Sequence, residues 1–389
     1  MRTAKRKIGI VTTSRADYGI YRPVLSVLAA SGMDYFLYVT GTHLSAAHGM
    51  TVGAIEADGH PVAARVSVDL AADDPAGIAS RMGETLEKFS AVYAHTPPDI
   101  LLVLGDRYEM LAAALAAVPF NIPIAHIHGG EISEGAIDDA FRHAITKISH
   151  LHFPATQLSA QRIAQMGENE SRIFLAGAPS LDNISGLTLP DRTALHEKFD
   201  IWPDRDFLLV TYHPVTREYA DTKTHIKNLL TALEGTDFGL VFTQANADTF
   251  GNIVNEHIAA FVRDNSARAI MTGTMGTVGY FGAMRHARAV VGNSSSGIIE
   301  AASFKTPVVN IGNRQKGREQ SRNTVNCGNG AEDIAAAIRQ ACGDSFRAGL
   351  AALENIYGQG RAAGIICDAL ATVDLDMLKT KGFVTRVAA

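Results

Sequence analysis

Short runs of valine, isoleucine and leucine recur along the chain, separated by longer stretches with apolar residues at helical spacing, and few folds accommodate that alternation. In the first half the runs KIGIVTT, DYFLYVTG, DILLVLG, IPIAHIH and RIFLAGA lack the alternating polarity of a half-exposed strand. They read as strands buried on both faces, as in parallel sheets. Between them, YRPVLSVLAAS, GIASRMGETLEKFSAVYAH, EMLAAALAAV and DDAFRHAITKISH carry the period of amphipathic helices. The order β-α-β-α predicts a doubly wound α/β sheet.

Around GAPSLDNISGLTLPDR the pattern lapses into Gly, Pro, Ser and Asp, the composition of a crossing between domains. The second half then repeats the plan. FLLVTYH, FGLVFTQ, ARAIMTG, RAVVGN and PVVNIG read as strands, and THIKNLLTALEG, IVNEHIAAFVRDN, SGIIEAASF and EDIAAAIRQACG as helices. At 389 residues the chain exceeds the roughly 250–300 at which one core stops growing. Two Rossmann-like domains are therefore expected, 1–179 and 180–360, with the apolar helical segment of 361–389 returning to the first. Domains of this kind bind ligands in a cleft outside the carboxyl ends of their strands.

Composition narrows the partner. A formal net charge of −5 supplies no basic field for nucleic acid or an anionic membrane, so phosphate binding must come from local groups. Three scattered cysteines (Cys327, Cys342, Cys367) fit a reducing compartment rather than a disulfide framework or zinc cluster. The apolar run IGIV is too short for a signal sequence, and nothing approaches the length of a membrane span. A cytoplasmic protein with a small-molecule substrate is expected.

The polar residues cluster after the strands. Thr13-Ser14-Arg15-Ala16-Asp17 follows the first, and Arg15 has the fork that fits a phosphate. Asp106-Arg107-Tyr108-Glu109 follows DILLVLG and again sets a carboxylate and an arginine at a strand tip; a capping Asp beside a solvated Arg is the alternative, and the recurrence at two strand ends weighs against it. The densest segment is His126-Ile127-His128-Gly129-Gly130-Glu131, followed by Asp138, Asp139, Arg142, His143 and Lys147. Strand alternation sends His126 and His128 to one face, and the glycine pair admits a close approach to the backbone. Two histidines without a further spaced ligand set make a weak zinc signal, and no metal is expected.

In the second half Tyr212-His213-Pro214-Val215-Thr216 and Gln244-Ala245-Asn246-Ala247-Asp248 leave strands. His213 is either a ligand contact or a satisfied structural histidine. The sharpest phosphate signal is Gly292-Asn293-Ser294-Ser295-Ser296-Gly297, where bare helix N–H groups and serine hydroxyls suit a diphosphate, with Glu300 one turn on for a ribose diol. The basic loop from Gly312 through Arg314 and Lys316 to Glu319 either contacts the ligand or is simply solvated. No G-x-G-x-x-G follows the first strand and no G-x-x-x-x-G-K-[ST] occurs, which disfavours a redox dinucleotide or a Walker-type ATPase and leaves a nucleotide sugar.

Taken in order, SRADYG, LGDRYE, HIHGGE with IDDAFRHAITK, YHPVT, QANAD, GNSSSGIIEA and NIGNRQKGRE resemble the UDP-N-acetylglucosamine 2-epimerase family. The likeness is strongest to its bacterial hydrolysing branch, which begins sialic, legionaminic and related nonulosonic acid synthesis. The resemblance implies a GT-B architecture, two Rossmann-like domains with the ligand cleft between them, and a dimer or tetramer. It implies UDP contacts from Arg15, Arg107, His213, Asn246, Ser294, Ser295 and Glu300, with Arg314 at the site and Ser296 completing the serine run. It implies sugar-side chemistry from Asp17, His43, Asp106, Asp138 and Arg142, with His128 or Glu131 in acid–base work.

The implied reaction takes UDP-N-acetylglucosamine and water to N-acetylmannosamine and UDP, by elimination to a 2-acetamidoglucal and hydration from the other face, without a cofactor. The alternatives are the same reaction on UDP-2,4-diacetamido-2,4,6-trideoxyglucose, a non-hydrolysing epimerase, a glycosyltransferase of the same fold, and a silent UDP-sugar sensor.

Overall fold

The computed structural model describes residues 6–46, 49–70, 75–134, 137–215, 219–244, 251–273 and 275–386. Asn246 lies outside these residues. The chain forms two compact units: Met1–Glu131 with Ile137–Ser185 and Tyr357–Ala389, and Ile132–Ala136 with Gly186–Ile356.

In the first unit the strands are β1 (Lys7–Thr12), β2 (Asp34–Thr40), β3 (Val62–Val66), β4 (Ile100–Leu104), β5 (Ile124–Ile127) and β6 (Leu151–Phe153). All pair in parallel, in the order β3-β2-β1-β4-β5-β6. Helices α1 (Arg15–Ser31), α2 (Val52–Ala57), α3 (Pro75–His95), α4 (Tyr108–Ala117), α5 (Asp138–Ile148), α6 (Gln157–Gln165) and α7 (Asp182–Ser185) connect and follow them.

The second unit adds α8 (Arg192–Phe199), β7 (Phe207–Thr211), α9 (Thr222–Glu234), β8 (Gly239–Thr243), α10 (Gly251–Asp264), β9 (Ala269–Thr272) and α11 (Gly276–His286). It continues with β10 (Ala289–Gly292), α12 (Ser295–Ile299), β11 (Val308–Ile311), β12 (Thr324–Cys327), α13 (Ala331–Cys342) and α14 (Asp344–Ala348). Its parallel sheet runs β12-β11-β10-β7-β8-β9, the same winding as the first: the order reverses beside the unit's opening strand. Each sheet thus has a switch point, between β1 and β4 and between β7 and β10, where ligands of such folds bind.

Every residue of β4 and of β7 is buried, as strands covered by helices on both faces must be. Two helices late in the chain, α15 (Ala362–Thr372) and α16 (Leu375–Leu378), build into the first unit. Ile366, Cys367 and Leu370 of α15 sit in the same core as Val24, Leu25 and Leu28 of α1. The Asp182 carboxylate accepts from the N–H groups of Ala362 (3.0 Å) and Ala363 (2.7 Å), satisfying donors that the start of α15 would otherwise leave bare.

One expected strand is absent. RIFLAGA makes only an isolated bridge, Ile173 beside His152. Phe174 N donates to His152 O and Ala176 N to Pro154 O, but Pro154 has no N–H to return, so the pairing stops there. The sheet gains β3 and β6 instead, and the second sheet gains β12.

Candidate active site

At the carboxyl end of β1, Ser14 caps α1 by accepting from Asp17 N, which places Arg15 and Asp17 in the first turn. Arg15 is exposed there, whereas Asp17 turns back and accepts from Thr13 N (3.1 Å) and Thr13 Oγ1 (2.5 Å). Burial raises the Asp17 carboxyl against the opposing pull of Arg107. His43, just beyond β2, is fully buried between Thr12 Oγ1 (2.9 Å from Nε2) and Thr51 Oγ1 (2.7 Å from Nδ1). Burial lowers its pKa to about 4, so it is a neutral imidazole with both nitrogens engaged.

The end of β4 carries Asp106 and Arg107. The Arg107 guanidinium grips Glu109 with two hydrogen bonds, Nε to Oε2 at 3.1 Å and Nη2 to Oε1 at 2.8 Å. Glu109 is wholly buried and had no role in the sequence reading. The available signal was a lone carboxylate in the alanine- and leucine-rich α4, a position that burial tolerates only for a paired charge. Asp106 accepts instead from Arg142 Nη2, on the buried face of α5.

At β5 the structure corrects one expectation. His126 and His128 do not continue one strand face, because the strand ends at Ile127 and His128 adopts a left-handed backbone, φ +63°. His126 stays inside. Its Nε2 lies 2.8 Å from Gly105 O, its Nδ1 3.2 Å from Thr146 Oγ1, and burial lowers its pKa to about 3. The glycine pair serves the protein's own packing: a Cβ at Gly129 would lie 2.9 Å from His126 Nδ1, and one at Gly130 would lie 2.4 Å from Ser159 O.

His128, re-aimed by its backbone, points Nδ1 at Glu131 Oε1, 2.5 Å away, in a pair that is almost fully buried. With Glu131 ionised, the proton resides on Nδ1 and Nε2 is the basic atom. Asp138 opens α5. Burial first, and the charge of Asp106 second, raise its pKa to about 6. The cluster therefore sets two carboxylates in unlike surroundings, Asp106 held by Arg142 and Asp138 buried, with the charges of Glu131 and Asp139 also acting on the Arg142 guanidinium.

The second unit builds a separate cradle. Gly292 ends β10 at φ +141°, where a Cβ would meet Thr211 O at 1.9 Å, so only glycine fits. Asn293 then pins the residue after Tyr212 from both sides: His213 N donates to its Oδ1 and its Nδ2 donates to His213 O, both at 2.8 Å. The Asn293 carbonyl accepts from Arg314 Nη1 and Gln315 Nε2, each at 3.0 Å. This links the basic loop to the serine loop; sequence reading missed both amide side chains. Burial, then Arg314, lowers the His213 pKa to about 3.

Ser294 caps α12, and Ser295 and Ser296 open it, half-buried, with Glu300 buried at its end. That helix is a single short turn, so the cradle's donors are hydroxyls and local N–H groups rather than a long helix dipole. Among the described residues no group of three or more His, Cys, Asp or Glu side chains is arranged to hold a metal ion, and no helix is long and apolar enough to cross a membrane.

The chain is similar to known proteins over most of its length. A family model described as UDP-N-acetylglucosamine 2-epimerase matches residues 26–371. A UDP-N,N'-diacetylbacillosamine 2-epimerase (hydrolyzing) of Legionella pneumophila is 38% identical over 95% of this chain and 97% of its own. A GDP/UDP-N,N'-diacetylbacillosamine 2-epimerase (hydrolyzing) of Campylobacter jejuni is 36% identical over 83% of this chain and 84% of its own. The crystal structure of a UDP-GlcNAc 2-epimerase from Neisseria meningitidis bound to UDP-GlcNAc superposes with a TM-score of 0.79 at 17% identity, covering 94% of this chain and 99% of that one. At that identity the likeness is one of fold, which is α/β and GT-B-like.

Proposed function

The chain belongs to the UDP-N-acetylglucosamine 2-epimerase family, and from that membership we propose that it is a hydrolysing UDP-sugar 2-epimerase whose sugar is N,N'-diacetylbacillosamine. That sugar is 2,4-diacetamido-2,4,6-trideoxyglucose. The two hydrolysing relatives at 38% and 36% identity carry its name, which moves the sugar away from N-acetylglucosamine. The observation that carries the chemistry is the pairing of an Arg142-held Asp106 with an Asp138 whose pKa is raised to about 6, beside the His128–Glu131 pair.

The first step is an elimination. His128 Nε2, freed as a base by Glu131, takes the C2 proton; the C–H electrons form the C1=C2 bond as the C1–O electrons leave with UDP. Departing charge on the diphosphate is met by the Ser294–Ser296 hydroxyls, Arg314 and neutral His213, with Arg15, Arg107 and Asn246 as further contacts and Glu300 accepting from the ribose diol. In the second step water adds its oxygen to C1 and gives up one proton, which restores the one that Asp138 donates, while the proton held by His128 Nε2 passes to solvent. Asp138, whose pKa burial and Asp106 raise to about 6, delivers a proton to C2 from the opposite face. Asp106, fixed by Arg142, orients the sugar, and His43 and Asp17 shape the end of the first sheet. The products are UDP and the free C2-inverted sugar.

The test offers UDP-N,N'-diacetylbacillosamine and UDP-N-acetylglucosamine in parallel in D2O, following UDP release and the product by NMR. The expected result is faster UDP release from the first, with one deuterium at C2 of a free manno sugar. Preference for the second returns the sugar to N-acetylglucosamine, retention of UDP on the product makes the enzyme non-hydrolysing, and a product without deuterium at C2 overturns the elimination.

A further inference from the structure

His126 takes no part in the chemistry above, yet the groups proposed for it are arranged around its ring. The side chain is fully buried. Its Nε2 lies 2.8 Å from the carbonyl oxygen of Gly105, the residue before Asp106, and its Nδ1 lies 3.2 Å from the hydroxyl of Thr146, one turn of α5 beyond Arg142. Gly129, the residue after His128, lies beside that second contact: a Cβ there would stand 2.9 Å from both His126 Nδ1 and Thr146 Oγ1. Asp106, Arg142 and His128 are thus each within one residue or one helical turn of a position packed on this imidazole.

The two bonds have a fixed direction. Burial keeps the ring neutral, with a single N–H. A carbonyl oxygen only accepts, so that N–H is Nε2 and donates to Gly105 O, which leaves Nδ1 to accept from the Thr146 hydroxyl. Gly105 is left-handed, φ +71°, and its N–H donates to Ile127 O at 2.9 Å. Its carbonyl lies beyond the last pairing of β4 with β5, Leu104 with Ile127, and the His126 side chain supplies the donor there. Both backbone groups of Gly105 are therefore held from β5.

Asp106 and Arg142 come from different elements, and their ion pair needs the tip of β4 and the first turns of α5 to keep one register. A single ring bonded to both elements sets that register. We infer that His126 is a positioning residue for the proposed reaction: it ties the tip of β4 to α5 and so holds Asp106 against Arg142. The inference rests on the reading of Asp106 as part of the sugar site.

The experiment measures kcat and KM for UDP release, on whichever of the two UDP-sugars turns over faster. It compares wild type, His126→Leu, His126→Gln, Thr146→Val and Asp106→Asn, and combines His126→Leu and Thr146→Val in turn with Asp106→Asn. His126→Leu removes both bonds, and kcat should fall about 10²-fold, the cost of a small misplacement of a reacting group, with KM unchanged. His126→Gln keeps a donor for Gly105 O and should recover most of that loss. Thr146→Val should lower kcat about fivefold, the scale of one neutral hydrogen bond, with the circular dichroism spectrum of wild type; it decides the matter if His126→Leu fails to fold. On top of Asp106→Asn, either change should cost little more, because the residue it places is already disabled. Losses that simply add overturn the inference, since a ring that only supported the fold would act whatever stands at residue 106. So does wild-type kcat in both His126→Leu and Thr146→Val. Wild-type kcat in Asp106→Asn sinks the reading of the site and this inference with it, whereas a large loss there with additive pairs sinks the inference alone.

Discussion

His128 Nδ1 lies 2.5 Å from Glu131 Oε1, and the backbone of His128 is left-handed, so the imidazole is aimed by one residue's conformation and held by another's charge. Glu131→Gln keeps the shape and removes the charge that fixes the tautomer. Turnover is expected to drop about 10²- to 10⁴-fold, the scale of a positioned base and its orienting carboxylate, while KM changes little. Steady-state UDP release measures it; wild-type kcat in the variant would leave the pair a structural one.

Asp138 sets a pH limb. Acting as the proton donor, it must be protonated, so kcat/KM should decline as pH rises through about 6. Asp106→Asn removes one of the charges that raise it, and the limb should move to lower pH even though the rate is reduced. The same shift has a stability sign. The folded state binds this proton more tightly than the unfolded chain, so Asp138 favours folding at low pH and that contribution is lost from about 4 to about 6. Asp138→Asn should flatten this fall in the thermal midpoints.

Glu168 has the opposite sign. Burial pushes its carboxyl up, but hydrogen bonds from His152, Lys147 and Lys381 overcome that and hold it at about 2. Its stabilisation is full above the unfolded value of 4.5 and is lost as pH falls toward about 2. Acid unfolding of Glu168→Gln should therefore show a weaker pH dependence within that window than wild type, read by circular dichroism. Equal dependence would mean that the two lysines and His152 do not stabilise the carboxylate.

Gly292→Ala brings a Cβ to 1.9 Å from Thr211 O at a backbone angle that side chains avoid. The expected cost is about 3 kcal/mol or more, as for strain compounded by a backbone clash, with UDP affinity lost as Asn293 shifts off His213. Denaturant unfolding and UDP titration check both.

Legibility in the sequence followed burial. The fully covered β4 and β7 were plain as apolar runs. The edge strand β3, VAARV, shows an arginine and alternating exposure, β6 has three residues, and β12 reads TVNC, because an edge strand needs less apolar surface and tolerates polar residues. Residues that follow strand ends, such as Asp106, His213 and Ser294, could be picked out by position. Their partners could not. The amides of Asn293, which holds His213, and Gln315, which holds the Asn293 carbonyl, are set by packing across elements, and no spacing rule connects them. The turn at His128 left no trace either, since left-handed positions are usually read from glycine or asparagine.

The Asp182 cap on α15 joins residues that are far apart in time as well as in sequence. A chain made from its N-terminus completes the second unit while the helix that belongs against α1 has still to be synthesised. The first sheet to emerge is the last to close its core, and until then the face of α1 bearing Val24 and Leu28 waits uncovered. During synthesis the unit proposed to carry the proton chemistry is thus the vulnerable one, and the unit proposed to hold the nucleotide can be finished first.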